Sequence, residues 1–323
     1  MRTIALDVMG GDFAPQETIA SLDLLKQDDL KLIVVGQEKV LEAINASSKV
    51  EKVIAKEVVE MSESPALSYK QKPDSSIRVG LSLVKEGRAD AFVSAGNTGA
   101  VMSSALFSLG RIKGIHRPAI ATLFPTTKGQ SILLDMGANV DCKPEHLLQF
   151  ASMGHYYAKA HFGSKKPRVG LFNIGEEAEK GNELSLQTYE LLKQSDLNFV
   201  GNVEGKAVFF DAADVIVCDG FVGNALLKLG EGLASFIFNE IKAEVKTDFR
   251  SCLGAMLMKP ALKRLKKKMD YEEFGAAPLL GVKGVCMIAH GSSKARAIKN
   301  AVLAAKDIVD QELVQSIESS LQG

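Results

Sequence analysis

The chain has 323 residues, 46% hydrophobic and 24% charged, and its 39 basic and 39 acidic side chains cancel at neutral pH. That length can hold a large core, and a chain without net charge has no global field to draw it to nucleic acid. Four cysteines, Cys142, Cys218, Cys252 and Cys286, lie far apart with no CxxC; they support neither a zinc site nor a disulfide framework and fit a reducing cytoplasm.

The opening "MRTIALDVMGGD" reads as a strand and turn rather than a leader. No apolar run reaches about 18 residues, so no membrane span is expected. Apolar runs at 3–8, 30–36, 90–96, 118–124, 131–137, 168–175, 198–202, 213–220 and 285–291 predict strands. They are rich in Val, Ile and Leu and do not alternate, which predicts burial on both faces. Helical patterns fall between them, as over 144–161 and 222–245. Such alternation predicts an α/β fold with a largely parallel sheet and flanking helices. With no linker, repeat or low-complexity segment, residues 1–323 are expected to form one continuous two-lobed unit around a cleft.

Five strand ends share a composition: "DVMGGD", "SAGNTGA", "DMGAN", "NIGEEAEKGNE" and "CDGFVGN" each carry glycine with Asp or Asn, ahead of a helical pattern. Ligands of open α/β sheets bind outside the carboxyl ends of the strands, and the amides that open a helix favour an anion. The five loops together predict a polar, backbone-lined cleft, with phosphate or a phosphate ester as the anion. In "SAGNTGA" (94–100) the amides of Gly96, Asn97, Thr98 and Gly99 form a candidate nest; the competing reading is a turn capped by Asn or Thr. Within 173–183 Lys180 supplies positive charge, set against a plain solvated lysine, while Glu176 and Glu177 suit a helix start.

Other chemistries lack their motifs. There is no GxGxxG and no GxSxG. "GNVEGK" (201–206) is one residue short of a phosphate loop, and Ala207 stands where Ser or Thr is needed. The five histidines form no HExxH, so no metal site is expected. Cys218, in an apolar strand, reads as packing. His290 is either a site residue or a cap.

In chain order, "ALDVMGGDFAP" (5–15), "SAGNTGA" (94–100), "RPA" (117–119), "LDMGAN" (134–139), "NIGEEAEKGNEL" (173–184), "GNVEG" (201–205), "VCDGFVGNALLK" (217–228), "APLLGVKG" (277–284) and "HGSS" (290–293) closely resemble the bacterial phosphate acyltransferases of phospholipid synthesis. The blocks run over nearly the whole chain. Three positions depart from the family's usual pattern: Phe13 for His, Lys206-Ala207 for Arg-Asp, and Phe274-Gly275-Ala276 for Tyr-Gly-Gly. No catalytic role passes to Phe13 or Ala207.

The resemblance implies transfer of a fatty acyl group from acyl carrier protein to inorganic phosphate. The acyl phosphate formed would serve a membrane enzyme acylating glycerol 3-phosphate. It implies no cofactor, and a two-lobed fold similar to phosphate acetyltransferases and isocitrate/isopropylmalate dehydrogenases, usually homodimeric. Phosphate is itself the nucleophile and a thiolate of pKa near roughly 8.5 leaves, so positioning and oxyanion stabilisation suffice. Lys180 and Asn224 are the candidates for those roles. Asn97, with Thr98 and Gly99, is expected to grip phosphate, and Asn139, Asn182 and Asp219 to line the substrate site.

Residues 246–270 hold eight basic and two acidic side chains. Phe249, Leu253, Met256 and Leu257, then Leu262 and Leu265, recur at helical spacing. This predicts a basic amphipathic helix, broken or kinked at Pro260. It could pack in a dimer, lie on an anionic membrane or receive the acidic acyl carrier protein. The expected location is cytoplasmic with peripheral membrane contact. A coenzyme A-dependent acyltransferase, a dehydrogenase of related fold and a non-catalytic scaffold remain as alternatives.

Overall fold

The apolar runs become strands: β1 (Arg2–Asp7), β2 (Leu30–Gly36), β3 (Val50–Ile54), β4 (Ala91–Ser94), β5 (Ala119–Thr126), β6 (Gly129–Leu134), β7 (Arg168–Asn173), β8 (Asn198–Glu204), β9 (Val215–Val217), β10 (Ala276–Leu280) and β11 (Val285–Ala289). The structure, a computed structural model, describes residues 1–45, 47–269 and 275–321. Phe274 and the last residue of 246–270 lie outside the described residues. The helices are α1 (Gln16–Leu24), α2 (Glu38–Glu42), α3 (Pro65–Gln71), α4 (Ser76–Lys85), α5 (Thr98–Ser108), α6 (Pro144–Phe162), α7 (Glu183–Gln194), α8 (Gly220–Glu244), α9 (Phe249–Met269), α10 (Ala295–Asp310) and α11 (Leu313–Ser320).

One sheet carries these strands in the order β3-β2-β1-β4-β11-β10-β5-β6-β9-β7-β8. The first five run parallel to one another, as do the last four. Between them β10 runs against both β11 and β5, and β5 against β6. Three successive reversals leave the second parallel set antiparallel to the first. The carboxyl ends of the two sets therefore lie at opposite edges of the sheet. The loops after β1 and β4 share one edge, and those after β6, β7 and β9 share the other.

Both faces are covered, which explains the lack of alternation in strands such as Leu30–Gly36. On one face Ile4, Leu6, Leu134 and Val215 pack with Phe150, Ile298 and Val302 beneath α6 and α10. On the other Phe92, Ile120 and Leu133 pack with Ile77 and Val101 of α4 and α5. Burying each such side chain contributes about 1.5–3 kcal/mol.

Two strands escaped the sequence reading. β3 sits at the sheet edge and carries Glu51 and Lys52, exposed charges that blunt an edge and break the apolar run. β10 contains Pro278, a residue that argues against a central strand. It is tolerated where the ladder changes partners: pairing with β11 ends at Pro278, and pairing with β5 begins at Leu279.

Of the two expectations at Pro260, broken or kinked, the break is absent: α9 runs continuously through it. Its exposed surface leaves water to satisfy the carbonyl that loses its N–H partner. α8 also differs from expectation. It is long and apolar enough to cross a membrane by length and composition alone, and it is exposed over most of its length. Its first turn, however, is locked into the sheet.

Candidate active site

That first turn begins the site. Asp135 follows β6 and is fully buried. Its carboxylate accepts from the backbone N–H of Ile120 (3.0 Å), Ala138 (3.1 Å) and Asn139 (2.7 Å), and from Asn139 Nδ2 at 2.8 Å. Desolvation pushes its pKa up to about 6, against the pull of those donors. Asn139 Nδ2 donates also to the Pro118 carbonyl at 2.7 Å, and the Asn139 carbonyl accepts from Gly220 N at 2.7 Å. Asn139 thus ties three segments together.

Asp219 caps α8, accepting from Val222 N at 2.9 Å. The helix meets the 135–139 loop backbone to backbone. A Cβ at Gly223 would stand 1.9 Å from the Asp135 carbonyl oxygen, and one at Gly220 would stand 2.8 Å from Asn139 N. The spacing of "GFVG" is therefore steric: two glycines one turn apart face the loop. Asn224 follows on the exposed side, against Gly137, whose φ of +108° needs glycine.

The loop after β7 is shaped by two buried asparagines. Asn173 Nδ2 donates to the Lys180 carbonyl (2.8 Å), and Asn202 Nδ2 to the Glu177 carbonyl (2.7 Å). Gly181, at φ +112°, passes so close to Asn173 that a Cβ would stand 2.6 Å from its Oδ1. Asn182 then caps α7, accepting from Ser185 N and Oγ, both at 2.9 Å. The polar cluster that ends this strand is thus largely scaffold. Lys180 stands exposed on it, with no side-chain hydrogen bond or ion pair among the described residues. Lys206, by contrast, pairs with Glu204 (2.6 Å) and Glu176 (3.7 Å).

Between the starts of α7 and α8 lies a cavity of about 330 Å³. Leu147, Leu171 and Val222 supply apolar wall; Asn182, Ser185 and Asp219 supply polar groups. Two helix N-termini face it, a favourable field for an anion. Asp219 opposes that field with its own carboxylate. The structure therefore brings Asn182 and Asp219 to one cavity. Lys180 adjoins lining residue Gly181, and Asn224 follows two residues after Val222, but neither lines the space. Asn139 supports α8 from behind.

Thiol chemistry is disfavoured here. Desolvation, with Asp219 and Asp135 nearby, raises the Cys218 thiol well above its usual pKa. Desolvation and the same two carboxylates push Cys142 up to about 12. Both stay protonated and weakly nucleophilic.

At the other edge two of the three expected phosphate-gripping residues have capping or packing contacts of their own. Asn97 caps α5, accepting from Ala100 N at 3.0 Å, and its Nδ2 donates to the carbonyls of Met61 (2.9 Å) and Glu63 (3.1 Å). A Cβ at Gly99 would stand 2.5 Å from Pro65 Cγ, so glycine there serves helix packing. Thr98 is exposed. None of the three shares the cavity with Asn182 and Asp219. Sequence reasoning gave no role to Asp135, although "LDMGAN" contains it. The clue was a carboxylate immediately before a glycine turn, where loop amides converge.

A family model described as "Fatty acid synthesis protein" matches residues 2–316. The phosphate acyltransferase of Pelotomaculum thermopropionicum is 51% identical over 324 residues, covering 99% of this chain and 95% of that one. That of Heliobacterium modesticaldum is also 51% identical, covering 99% and 98%. The chain belongs to the phosphate acyltransferase family. It is an enzyme of that type, of fatty acid and phospholipid synthesis. Its fold is that of the EutD phosphotransacetylase from Staphylococcus aureus (TM-score 0.61, 15% identity, 95% and 94% of the chains covered). A branched-chain phosphotransacylase from Enterococcus faecalis is similar at TM-score 0.60 and 15% identity, covering 96% and 99%.

Proposed function

We propose that this phosphate acyltransferase moves a long-chain fatty acyl group from acyl carrier protein to inorganic phosphate. The product, acyl phosphate, then serves acylation of glycerol 3-phosphate. A phosphate oxygen attacks the thioester carbonyl carbon; the C–O bond forms, the C–S bond breaks, and the carrier leaves as thiolate. Cavity and family carry this reading together: an apolar wall for the acyl end lies beside two helix starts for the anion. No nucleophile from the chain is required, in keeping with its neutral thiols.

Lys180 meets the charge that develops on phosphate and carbonyl oxygen, and Asn224 donates to the oxyanion. Asn182 and Asp219 orient the substrates, while Asn139 holds the first turn of α8. Asn97, Thr98 and Gly99 act as scaffold of the opposite edge. The two parallel strand sets form the two lobes of one functional unit spanning 1–323.

The exposed Leu229, Leu233 and Phe236 of α8 suit a second copy of the chain, giving a homodimer. The basic α9, with Phe249 and Leu257 exposed, suits acidic acyl carrier protein or an anionic membrane surface. The enzyme then works in the cytoplasm with peripheral membrane contact, next to the acyltransferase it supplies.

The test is free-thiol release from a long-chain acyl-acyl carrier protein, with and without phosphate, for wild type and Lys180→Ala. Phosphate-dependent release that falls at least about tenfold in the variant is expected. Release unchanged in Lys180→Ala removes its role; no phosphate-dependent release in wild type overturns the activity. Equal rates with acyl-coenzyme A would replace the carrier by coenzyme A.

A further inference from the structure

The cavity poses a charge problem. Inorganic phosphate near neutral pH carries between one and two negative charges, and Asp219 already places a carboxylate on the lining. Asp135 stands behind it, buried, with a pKa of about 6, and is largely ionised at pH 7. One exposed ammonium, Lys180, is too little to offset that sum. Lys206 is committed to Glu204 and Glu176.

Arg117 is the cation placed to help. The backbone on both sides of it is fixed. His116 N donates to Gln149 Oε1 at 2.8 Å, and the His116 carbonyl accepts from Arg111. The Pro118 carbonyl accepts from Asn139 Nδ2, the amide that Asp135 holds. Its neighbour His116 lies with its ring 6.0 Å from that of His146. The Arg117 charge is felt at Cys142, the thiol that also senses Asp135 and Asp219 beside Gly220. Yet the guanidinium is exposed and has no hydrogen bond or ion pair among the described residues. Its main chain is anchored through Asn139, whose carbonyl receives Gly220 N at the first turn of α8, and its side chain is uncommitted. A planar fork of five donors suits phosphate oxygens better than an ammonium does.

We propose that Arg117 is the second cation of the phosphate site, acting with Lys180 and positioned through the Asp135–Asn139–Pro118 chain. The proposal rests on the phosphate-dependent reading above. Arg117 binds the anion in the ground state, so it governs affinity for phosphate more than turnover.

Two measurements separate the proposal from that reading. The first is calorimetric binding of inorganic phosphate without acyl donor. The second is KM for phosphate, KM for acyl-acyl carrier protein and kcat, for wild type, Arg117→Ala, Arg117→Lys and the nearby Lys143→Ala. Arg117→Ala should weaken phosphate binding and raise its KM at least about tenfold, with kcat and donor KM within about twofold. Arg117→Lys should fall between, and Lys143→Ala should match wild type. Because Arg117 is exposed, the thermal midpoint should hold. Unchanged phosphate affinity with a lowered midpoint would make Arg117 a counterion of Asp135 and Asp219 and overturn the proposal. A rise confined to the donor KM would assign it to the acidic carrier instead, also overturning it. Wild type that turns over with phosphate while Arg117→Ala binds phosphate equally well sinks the proposal alone. Wild type that neither binds phosphate nor depends on it sinks both.

Discussion

Each edge of the sheet carries a buried aspartate at a strand end, and the two are put to different use. Asp7, closing β1, accepts from Ser94 Oγ at 2.7 Å and Met9 N at 2.9 Å. Asp135, after β6, gathers Ile120, Ala138 and Asn139. Burial raises both pKa values. Near Asp7, Asn97 holds the Met61 and Glu63 carbonyls, and Gly10 lies against Gly96. Around Asp135 the loops stop short of closing, and a cavity with two helix starts remains. Glycine and asparagine after a strand therefore mark turns and helix caps at both edges; the difference lies in the cavity left between the caps of α7 and α8.

The comparison can be broken first at Gly223. Gly223→Ala sets a methyl against the Asp135 carbonyl; overpacking should cost about 3 kcal/mol, with phosphate-dependent release lost. Thermal melts and thiol release check both. A variant that melts and turns over like wild type would show that the first turn of α8 can yield.

Asp135 supplies the next effect. Its native pKa, about 6, lies above the unfolded value of roughly 3.9. The native state then holds the extra proton between those values, so stability from this group falls as pH rises from about 4 to about 6. The loss should be on the order of 3 kcal/mol, and Asp135→Asn should abolish that slope. Denaturant midpoints of the two proteins across this range provide the difference curve; parallel curves would mean that Asp135 does not titrate there.

At the opposite edge Asn97→Ala should cost about 1–2 kcal/mol through the lost cap and loop ties. Its phosphate KM should stay within about twofold of wild type. A tenfold rise would return Asn97 to the anion site and erase the contrast between the edges. The smallest effect is expected at exposed Thr98, where Thr98→Ala should change stability by less than about 0.5 kcal/mol and leave kinetics unaltered.

Most strands were legible because burial on both faces writes continuous Val/Ile/Leu runs, as in β2. The α/β class and helices such as α6 followed from the same periodicities. β3 and β10 were not legible: one is a charged edge, the other carries Pro278 at a change of partners. Nor was the division of the loops. It depends on strand direction across β10, β5 and β6, which composition does not encode. Of the candidate site, Asn182 and Asp219, which line one cavity, were visible as polar residues ahead of helices. Asp135 and Arg117 were not singled out, since their placement depends on Asn139 bridging segments about 20 residues apart in sequence.

The glycine pair at the start of α8 works like a key in a slot. A helix gripped only by side chains can rotate or slide by fractions of a turn as its neighbours repack. Here the grip is main chain on main chain, and turning the helix by one residue would drive the Val222 or Asn224 Cβ toward the Asp135 carbonyl. A rod of 25 residues, about 37 Å long at 1.5 Å per residue, is thus indexed to the sheet by two missing methyl groups. Its azimuth is fixed at the root, and so is the direction in which every exposed apolar residue farther along it faces.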